Sequence, residues 1–325
     1  MKVDRNKVLD FLRGIAILVM IFLHSTSYYL SNLNAFFFWN WGNFVVQIIV
    51  FVSAYLVFSK IESFAKISWS SFFIKRLTRL LIPYYIFLAV LFVMLAVFIP
   101  TRLTVSYIFQ SLLVIGGIDL GWLVLLFIYL TVVTPVMFYA LTRKPILFHV
   151  ITMVTFLSAV ILLFVRPAVH YKLTMWIPWL FMFNLAYYYF RLESKVKIKA
   201  ALMLFVTGLI TFIASFIVLN TYDLPIMLFK NKYPPNLFVI SYGMIWIGFL
   251  YFIYNVYLIR KNYLNAVTTY FSRHSYSLYF IHSLVILALT VFNFHKIFSW
   301  PIFFIIVLGF SFIVQEVINR LTRSI

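Results

Sequence analysis

The sequence has no cysteine and few acidic residues, with seven Asp and Glu against 26 Lys and Arg in 325 residues. Without cysteine the chain cannot form disulfides, use a thiol nucleophile, bind metal through thiolates or be palmitoylated. Charged residues make up only 10% of the chain, whereas soluble domains have about 25%. The hydrophobic fraction is 65% and the mean hydropathy is +1.06, which is too apolar for a compact soluble domain of this length. We therefore exclude a soluble enzyme, a disordered region and a fibrous repeat, and predict an all-α polytopic membrane protein.

Several common catalytic and transport motifs are also missing. The chain has no Walker loop, no Gly-x-Gly-x-x-Gly, no His-Glu-x-x-His and no Gly-x-Ser-x-Gly. ATP-driven transport, dinucleotide chemistry, zinc hydrolysis and a hydrolase elbow therefore lack their signatures. The mid-membrane carboxylates and paired broken helices of ion-driven transporters are not evident either.

Long apolar segments dominate what is present, and a helix that spans a membrane needs about 20 such residues. We identify ten segments, which begin near Val8, Phe36, Leu80, Gly121, Pro145, Leu173, Ala200, Leu237, Ser275 and Pro301. Cytoplasmic loops collect Lys and Arg, and with the N-terminus inside, 20 of the 26 basic residues fall on the cytoplasmic side. The pattern predicts ten spans with both termini in the cytoplasm, in a single membrane-embedded domain over residues 1–325 with no fused soluble domain.

The six basic residues on the outer side are Arg102, Arg166, Lys172, Lys230, Lys232 and Lys296. This asymmetry accounts for the net charge of +19 without a nucleic-acid partner. The stretch Leu103–Ile118 is short and interrupted by Gly116 and Gly117, so we predict an interfacial or re-entrant piece there. Trp39, Trp41, Trp176 and Trp179 near the outer face favour an interfacial belt over a sugar-binding platform.

Arg13 and His24 are the first ionisable pair within an apolar segment. They are 11 residues apart, close to three full helical turns, so both side chains point the same way. The rise between them is roughly 16 Å, which places His24 near mid-membrane above Arg13. Ionisable groups at this depth usually carry function, although Arg13 could mark the inner boundary and His24 could bond to a neighbouring helix.

A second basic cluster, Lys75 to Arg79, lies just before the predicted third helix. Arg76 and Arg79 are three residues apart and neighbours on one helix face. Two guanidinium groups there could hold a pyrophosphate or a sugar phosphate. Basic residues are also expected at inner helix ends in any case.

A third polar segment runs from Ser272 to His282, where Ser, Tyr and His alternate among apolar residues. We group its members with one acid of the last helix as a possible polar cavity, formed by Ser275, Tyr276, Tyr279, His282 and Glu316. A packing role for His282 is the alternative. No metal site is predicted.

These motifs occur in an order that resembles one known family. Leu12-Arg13-Gly14 followed by His24 resembles the Arg-Gly and first-helix His of the bacterial membrane-bound acyltransferases, often called acyltransferase family 3. Further stretches are similar to other family segments in the same order, namely Val46–Leu56, Lys75-Arg76 through Arg79 with Pro83-Tyr84, Trp122 with Pro135, and Ser275-Tyr276 through His282. The resemblance covers roughly residues 8–325.

Three positions depart from the family pattern. Gln47 stands where the family often has Asp, and Ala54 stands where it has Gly. Asp119-Leu120-Gly121 precedes Trp122, whereas many members have a His two residues before that Trp. The resemblance therefore implies no role for these positions here.

The resemblance implies about ten helices and transfer of an acyl group, commonly acetyl, from acyl-CoA to a hydroxyl of a cell-surface or lipid-linked glycan. The implied partners are acyl-CoA as co-substrate, a glycan acceptor and the lipid of a bacterial cell membrane. Arg76 and Arg79, with Arg13, match the anionic CoA at the cytoplasmic mouth. His24 is then the general base for the attacking hydroxyl, with no metal required.

Two other functions remain open at this stage. An exporter or flippase of polysaccharide or lipid-linked sugar would need neither acyl-CoA nor His24. A structural membrane subunit would tolerate replacement of Arg13, His24, Arg76 and Arg79.

Overall fold

The computed structural model describes residues 6–60, 68–165 and 171–323, without the side chains of Ser194, Lys195 and Arg323. Its helices, in chain order, are α1 (Lys7–Thr26), α2 (Leu33–Trp41), α3 (Val45–Phe58), α4 (Trp69–Phe98), α5 (Val105–Leu112), α6 (Gly121–Arg143), α7 (Pro145–Ile161), α8 (Tyr171–Thr174), α9 (Trp176–Arg191), α10 (Ser194–Thr221), α11 (Leu237–Ile253), α12 (Asn262–Arg273), α13 (Ser275–Val291), α14 (Phe294–Ile297) and α15 (Trp300–Arg323). The all-α prediction is confirmed. Of the basic residues used to predict topology, Lys2, Arg5, Lys66 and Arg166 lie outside the described residues.

Seven helical stretches within these ranges are long and apolar enough to cross a membrane. They are Lys7–Tyr29, Leu33–Phe58, Trp69–Phe98, Gly121–Arg143, Val196–Thr221, Leu237–Leu258 and Trp300–Thr322. Helices α12 and α13 add an eighth if the pair, which is bent by 77°, counts as one span. The other two predicted segments correspond to α7 and α9, whose 17 and 16 residues fall short of the roughly 20 that a span needs. The chain is thus a polytopic membrane protein, as predicted.

Helix α1 lies at the centre of the packed structure. It contacts α2, α3, α11, α12, α13 and α15. The Asn6 side chain caps its start by accepting a hydrogen bond from the Leu9 amide at 3.3 Å. Gly14 lets α1 cross α12 closely, because a Cβ at this position would collide with the backbone of Thr268. The glycine of the Arg-Gly motif, Gly14, therefore has a packing role.

Helix α4 begins 11 residues earlier than predicted, at Trp69 rather than near Leu80. Ser68 caps it, since its hydroxyl accepts a hydrogen bond from the Ser71 amide at 3.3 Å. Arg76 and Arg79 consequently lie on the third turn of a helix, and the predicted placement before a helix start was wrong. Hydropathy marks only the apolar part of a helix, whereas the cap marks its true beginning.

The segment after α4 forms the predicted non-spanning piece. Helix α5 has eight residues and is followed by an irregular turn in which Val114 and Gly117 have φ angles of 62° and 68°. Gly117 suits that left-handed conformation because it has no Cβ. The turn ends at α6. There Asp119 and Trp122 line a cavity together with residues from much later in the sequence, among them Lys172 and Lys232.

Candidate active site

His24 and His282 form a hydrogen-bonded pair between α1 and α13. The His24 Nδ1 and His282 Nε2 atoms are 2.7 Å apart. The ring planes differ by 17° and the ring centres are 5.0 Å apart. Together, these two distances place both nitrogens close to the line that joins the ring centres. In this position the lone pair of one ring nitrogen points at the nitrogen of the other ring.

The surroundings of His282 fix the protonation pattern of the pair. His282 is fully buried, and its Nδ1 lies 2.7 Å from the carbonyl oxygen of Leu278. A carbonyl can only accept, so His282 carries its proton on Nδ1 and its Nε2 is an acceptor. His24 must then donate from Nδ1, which leaves the lone pair on its Nε2. That nitrogen has no hydrogen-bond partner among the described residues and is available as a base.

His24 lies in the last turn of α1. The hydroxyls of Ser25 and Ser27 donate to the backbone oxygens of Ile21 and His24, at 2.9 and 2.7 Å. These bonds satisfy carbonyl groups where the helix ends and the chain turns. His24 therefore faces the region where several loops meet.

A cavity of about 550 Å³ lies against His24. Its walls include residues of three loops that sequence analysis assigned to the outer side, represented by Asp119, Lys172 and Lys232. Aromatic side chains also line it, namely Tyr28, Trp39, Trp122, Tyr171, Phe229, Tyr233 and Tyr279. The volume falls in the range of about 300–1,000 Å³ that is usual for small-molecule sites.

Lys232 lines this cavity and is surrounded by one amide side chain and two aromatic rings. Its Nζ donates to Asn43 Oδ1 at 3.2 Å and lies 5.3 Å from the ring centre of Trp122 and 5.2 Å from that of Tyr233. Burial lowers the pKa of Lys232 to about 8, because desolvation disfavours the ammonium form. Lys232 therefore titrates closer to neutral pH than an ordinary surface lysine does.

The remaining members of the predicted polar cavity are divided between different places. Tyr279 lines the His24 cavity and donates its hydroxyl to Leu120 O at 2.9 Å. Tyr276 donates instead to Leu80 O at 2.6 Å, and Ser275 begins α13. Glu316 accepts from the Tyr270 hydroxyl at 2.6 Å and lines a second cavity of about 590 Å³, on the side predicted to be cytoplasmic.

Arg13, Arg76 and Arg79 do not line the His24 cavity. Arg13 donates from Nη2 to Ser53 Oγ at 3.4 Å, between α1 and α3. Arg76 lies over the ring of Phe72 at 5.4 Å, and Arg79 is exposed on α4. The structure thus brings His24, His282 and Tyr279 together and leaves the three arginines elsewhere.

The aromatic belt predicted near the outer face is wrong for Trp179. Its side chain is fully buried, whereas a belt residue must reach the membrane interface. Trp41 packs against Tyr242 with ring centres 5.6 Å apart, and Trp39 lines the His24 cavity. Composition counts aromatic residues but cannot tell which of them form the packed interior.

Gln47, one of the departures from the family pattern, joins two helices. It is fully buried, and its Nε2 donates to Val239 O on α11 at 3.1 Å. Gly243 leaves room for it, because a Cβ there would collide with the Gln47 side chain. Gln47 does not line the His24 cavity.

Sequence analysis missed Lys232 and Asn43, and it missed the link between His24 and His282. Lys232 was counted only as one of the outer basic residues, with nothing in its local sequence to separate it from Lys230. The two histidines are 258 residues apart, so only packing of α13 on α1 could show the pair. Among the described residues, no group of three or more His, Asp or Glu side chains is arranged to hold a metal ion.

The fold and the site together define a polytopic membrane protein with a hydrogen-bonded histidine pair beside a cavity. The family described as an acyltransferase domain, acyltransferase family 3, matches residues 6–316. This covers nearly the whole chain, so the protein belongs to acyltransferase family 3 and is a membrane acyltransferase. No curated protein and no solved structure matches the chain.

Proposed function

We propose that this protein transfers an acyl group, acetyl in the first instance, from cytoplasmic acyl-CoA to a hydroxyl of a cell-surface or lipid-linked glycan. The observation that carries the proposal is the His24–His282 pair, in which His24 Nε2 keeps an unused lone pair and His24 lines a cavity with aromatic walls. The membrane is then a bacterial cell membrane, as the family resemblance implies.

In the proposed reaction, His24 Nε2 takes the proton of the acceptor hydroxyl as the oxygen attacks the thioester carbonyl. A carbon–oxygen bond forms, the carbon–sulfur bond breaks, and the CoA thiolate receives the proton from the His24 imidazolium. His282 stays neutral and accepts from His24 Nδ1 throughout, which keeps the ring oriented. The products are a glycan ester and free CoA.

The donor would enter from the opposite side of the membrane. Arg13, Arg76 and Arg79 lie at the ends predicted to be cytoplasmic and can hold the phosphates of CoA. The rise along α1 from Arg13 to His24 is roughly 16 Å, so an extended pantetheine arm would have to bridge that depth. The uncharged arm and its acyl group can enter an apolar interior at little cost, whereas the phosphates cannot.

Release of free CoA by the purified full chain in nanodiscs tests this function, with acetyl-CoA as donor and with or without crude cell-envelope glycan. We expect His24→Ala to lower turnover by about 10²–10⁴-fold, because the general base is lost. His149→Ala is the matched control, since His149 is exposed and bonds to Tyr188 rather than lining the cavity.

Turnover by His24→Ala at the parent rate would contradict the proposal. If neither acetyl-CoA nor succinyl-CoA is consumed by the parent and cells with His24→Ala keep normally acylated glycan, the exporter alternative replaces it.

A further inference from the structure

The His24 cavity contains a lysine whose charge no described acidic group balances. Of the three N–H bonds of a lysine ammonium, the Lys232 Nζ uses one for Asn43 Oδ1. The others have no acceptor within the described residues, and no described carboxylate lies within ion-pair distance of this nitrogen. A half-buried ammonium with two unused N–H groups can donate them to an anion.

The surroundings hold Lys232 in place. Asn43 donates its own amide to Trp39 O at 2.8 Å and to Asn40 O at 3.2 Å, which turns its Oδ1 toward the lysine. The loop that carries Lys232 is tied down by Asn231, whose side chain donates to Pro225 O at 2.7 Å and accepts from Asn236. Little conformational entropy would therefore be lost when an anion binds.

The charge balance of the cavity also favours an anion. Within the described part of the chain, Lys172 and Lys232 line it, against a single acidic residue, Asp119. Asp119 is exposed, whereas Lys232 is half-buried. Lys172 donates to Ile115 O at 3.1 Å. An anionic group would thus be attracted into this cavity.

Aromatic rings next to Lys232 suit a sugar ring. Trp122 and Tyr233 are perpendicular within 10° and their ring centres are 4.8 Å apart, and the lysine lies over both. Apolar faces beside charged or polar groups are the usual makeup of a site that must bind a polar ligand specifically. Trp39 and Tyr171 complete the aromatic wall of the same cavity.

We infer that the acceptor is an anionic glycan, in which a phosphate or carboxylate group binds Lys232 while a neighbouring sugar hydroxyl reaches His24. This inference rests on the proposed function, because it names the acceptor class for the same cavity. It goes beyond that function because it predicts that the protein selects its acceptor by charge and that Lys232 makes the selection.

Saturation-transfer NMR titrations on the full chain in neutral phosphatidylcholine nanodiscs test the inference. The probes are glucuronate, glucose 6-phosphate and glucose, each added without acyl-CoA. We expect both anionic sugars to bind at least tenfold more tightly than glucose, and Lys232→Met to remove that preference. Lys232→Arg should retain it, because the guanidinium keeps the charge.

Lys230→Met is the matched control, since Lys230 is exposed in the same loop and does not line the cavity. It should leave all three affinities unchanged. Equal affinity for glucose and glucuronate in the parent, or equal losses in Lys232→Met and Lys230→Met, would overturn the inference. Nanodiscs of phosphatidylglycerol distinguish a lipid headgroup from an acidic sugar as the source of the anion. If glucuronate binds more weakly there than in phosphatidylcholine nanodiscs, the lipid headgroup competes for Lys232 and the site is assigned to lipid.

The pH dependence gives a second readout. The pKa of Lys232 is lowered to about 8, so glucuronate affinity should fall as pH rises through that value, while Lys232→Arg should show no such fall. The other ionisable groups that line the cavity, among the residues the structure describes, are His24, Tyr28, Asp119, Tyr171, Lys172, Tyr233 and Tyr279. Failure of the proposed function is distinguishable, because His24→Ala can be tested for turnover while its Lys232 still binds the anionic sugars.

Discussion

At the scale of single residues, the proposed base role of His24 depends on which of its two ring nitrogens carries the proton. The chain of hydrogen bonds from His24 through His282 to Leu278 O allows one arrangement only, because its last member is a carbonyl. His282 is a positioning residue in this arrangement. Its role resembles that of a carboxylate behind a catalytic histidine, but without a negative charge.

His282→Leu should lower kcat about 10²-fold while leaving KM for acetyl-CoA unchanged, since the lost group orients the base and does not touch the donor. His282→Gln should recover part of kcat, because its Oε1 can accept from His24 Nδ1. Steady-state CoA release measures both variants. Equal activity of the Leu and Gln variants would show that His282 only fills space.

At the scale of helices, sequence analysis located the long apolar segments and several of their starts, but not every start and not what each helix packs against. The start of α4 depends on the Ser68 cap, which apolar length does not reveal. The link between α1 and α13, and with it the orientation of His24, depends on contacts 258 residues apart in sequence. Hydropathy identifies candidate spans and ionisable residues, whereas their partners require the packed structure.

Gly14 gives a prediction at this scale. Gly14→Ala should destabilise the protein by about 1–3 kcal/mol, because the new Cβ meets the Thr268 backbone, which cannot rotate away. Gly309→Ala is the control, since nothing lies within 4 Å of a Cβ there and alanine favours the helix by up to about 1 kcal/mol. Thermal unfolding in nanodiscs compares the two, and equal midpoints would contradict the close crossing of α1 and α12.

At the scale of the whole molecule, the basic-residue asymmetry predicts which loops are outside. The loops of Asp119, Lys172 and Lys232 meet in one cavity, and residues predicted to be inside line another. The sidedness of these loops stays a prediction. The distribution of Lys and Arg could not show that the three loops converge beside His24, because that depends on how the helices pack.

The chain has no cysteine, so single cysteines can report topology against a silent background. In intact cells, Lys230→Cys should react with a membrane-impermeant maleimide, and Lys144→Cys should react only after permeabilisation. Both positions are exposed, so a difference reports the side of the membrane. Labelling of Lys144→Cys in intact cells would reverse the assigned orientation and place the His24 cavity on the cytoplasmic side.

The most direct test of the central claim is transfer of isotope-labelled acetyl from acetyl-CoA to cell-envelope glycan by the purified chain in nanodiscs, followed by mass spectrometry of the ester. We predict labelled ester with the parent and with His149→Ala, and a loss of about 10²-fold or more with His24→Ala. Labelled ester formed by folded His24→Ala at the parent rate would contradict the account, because the base at the centre of the site would then be dispensable.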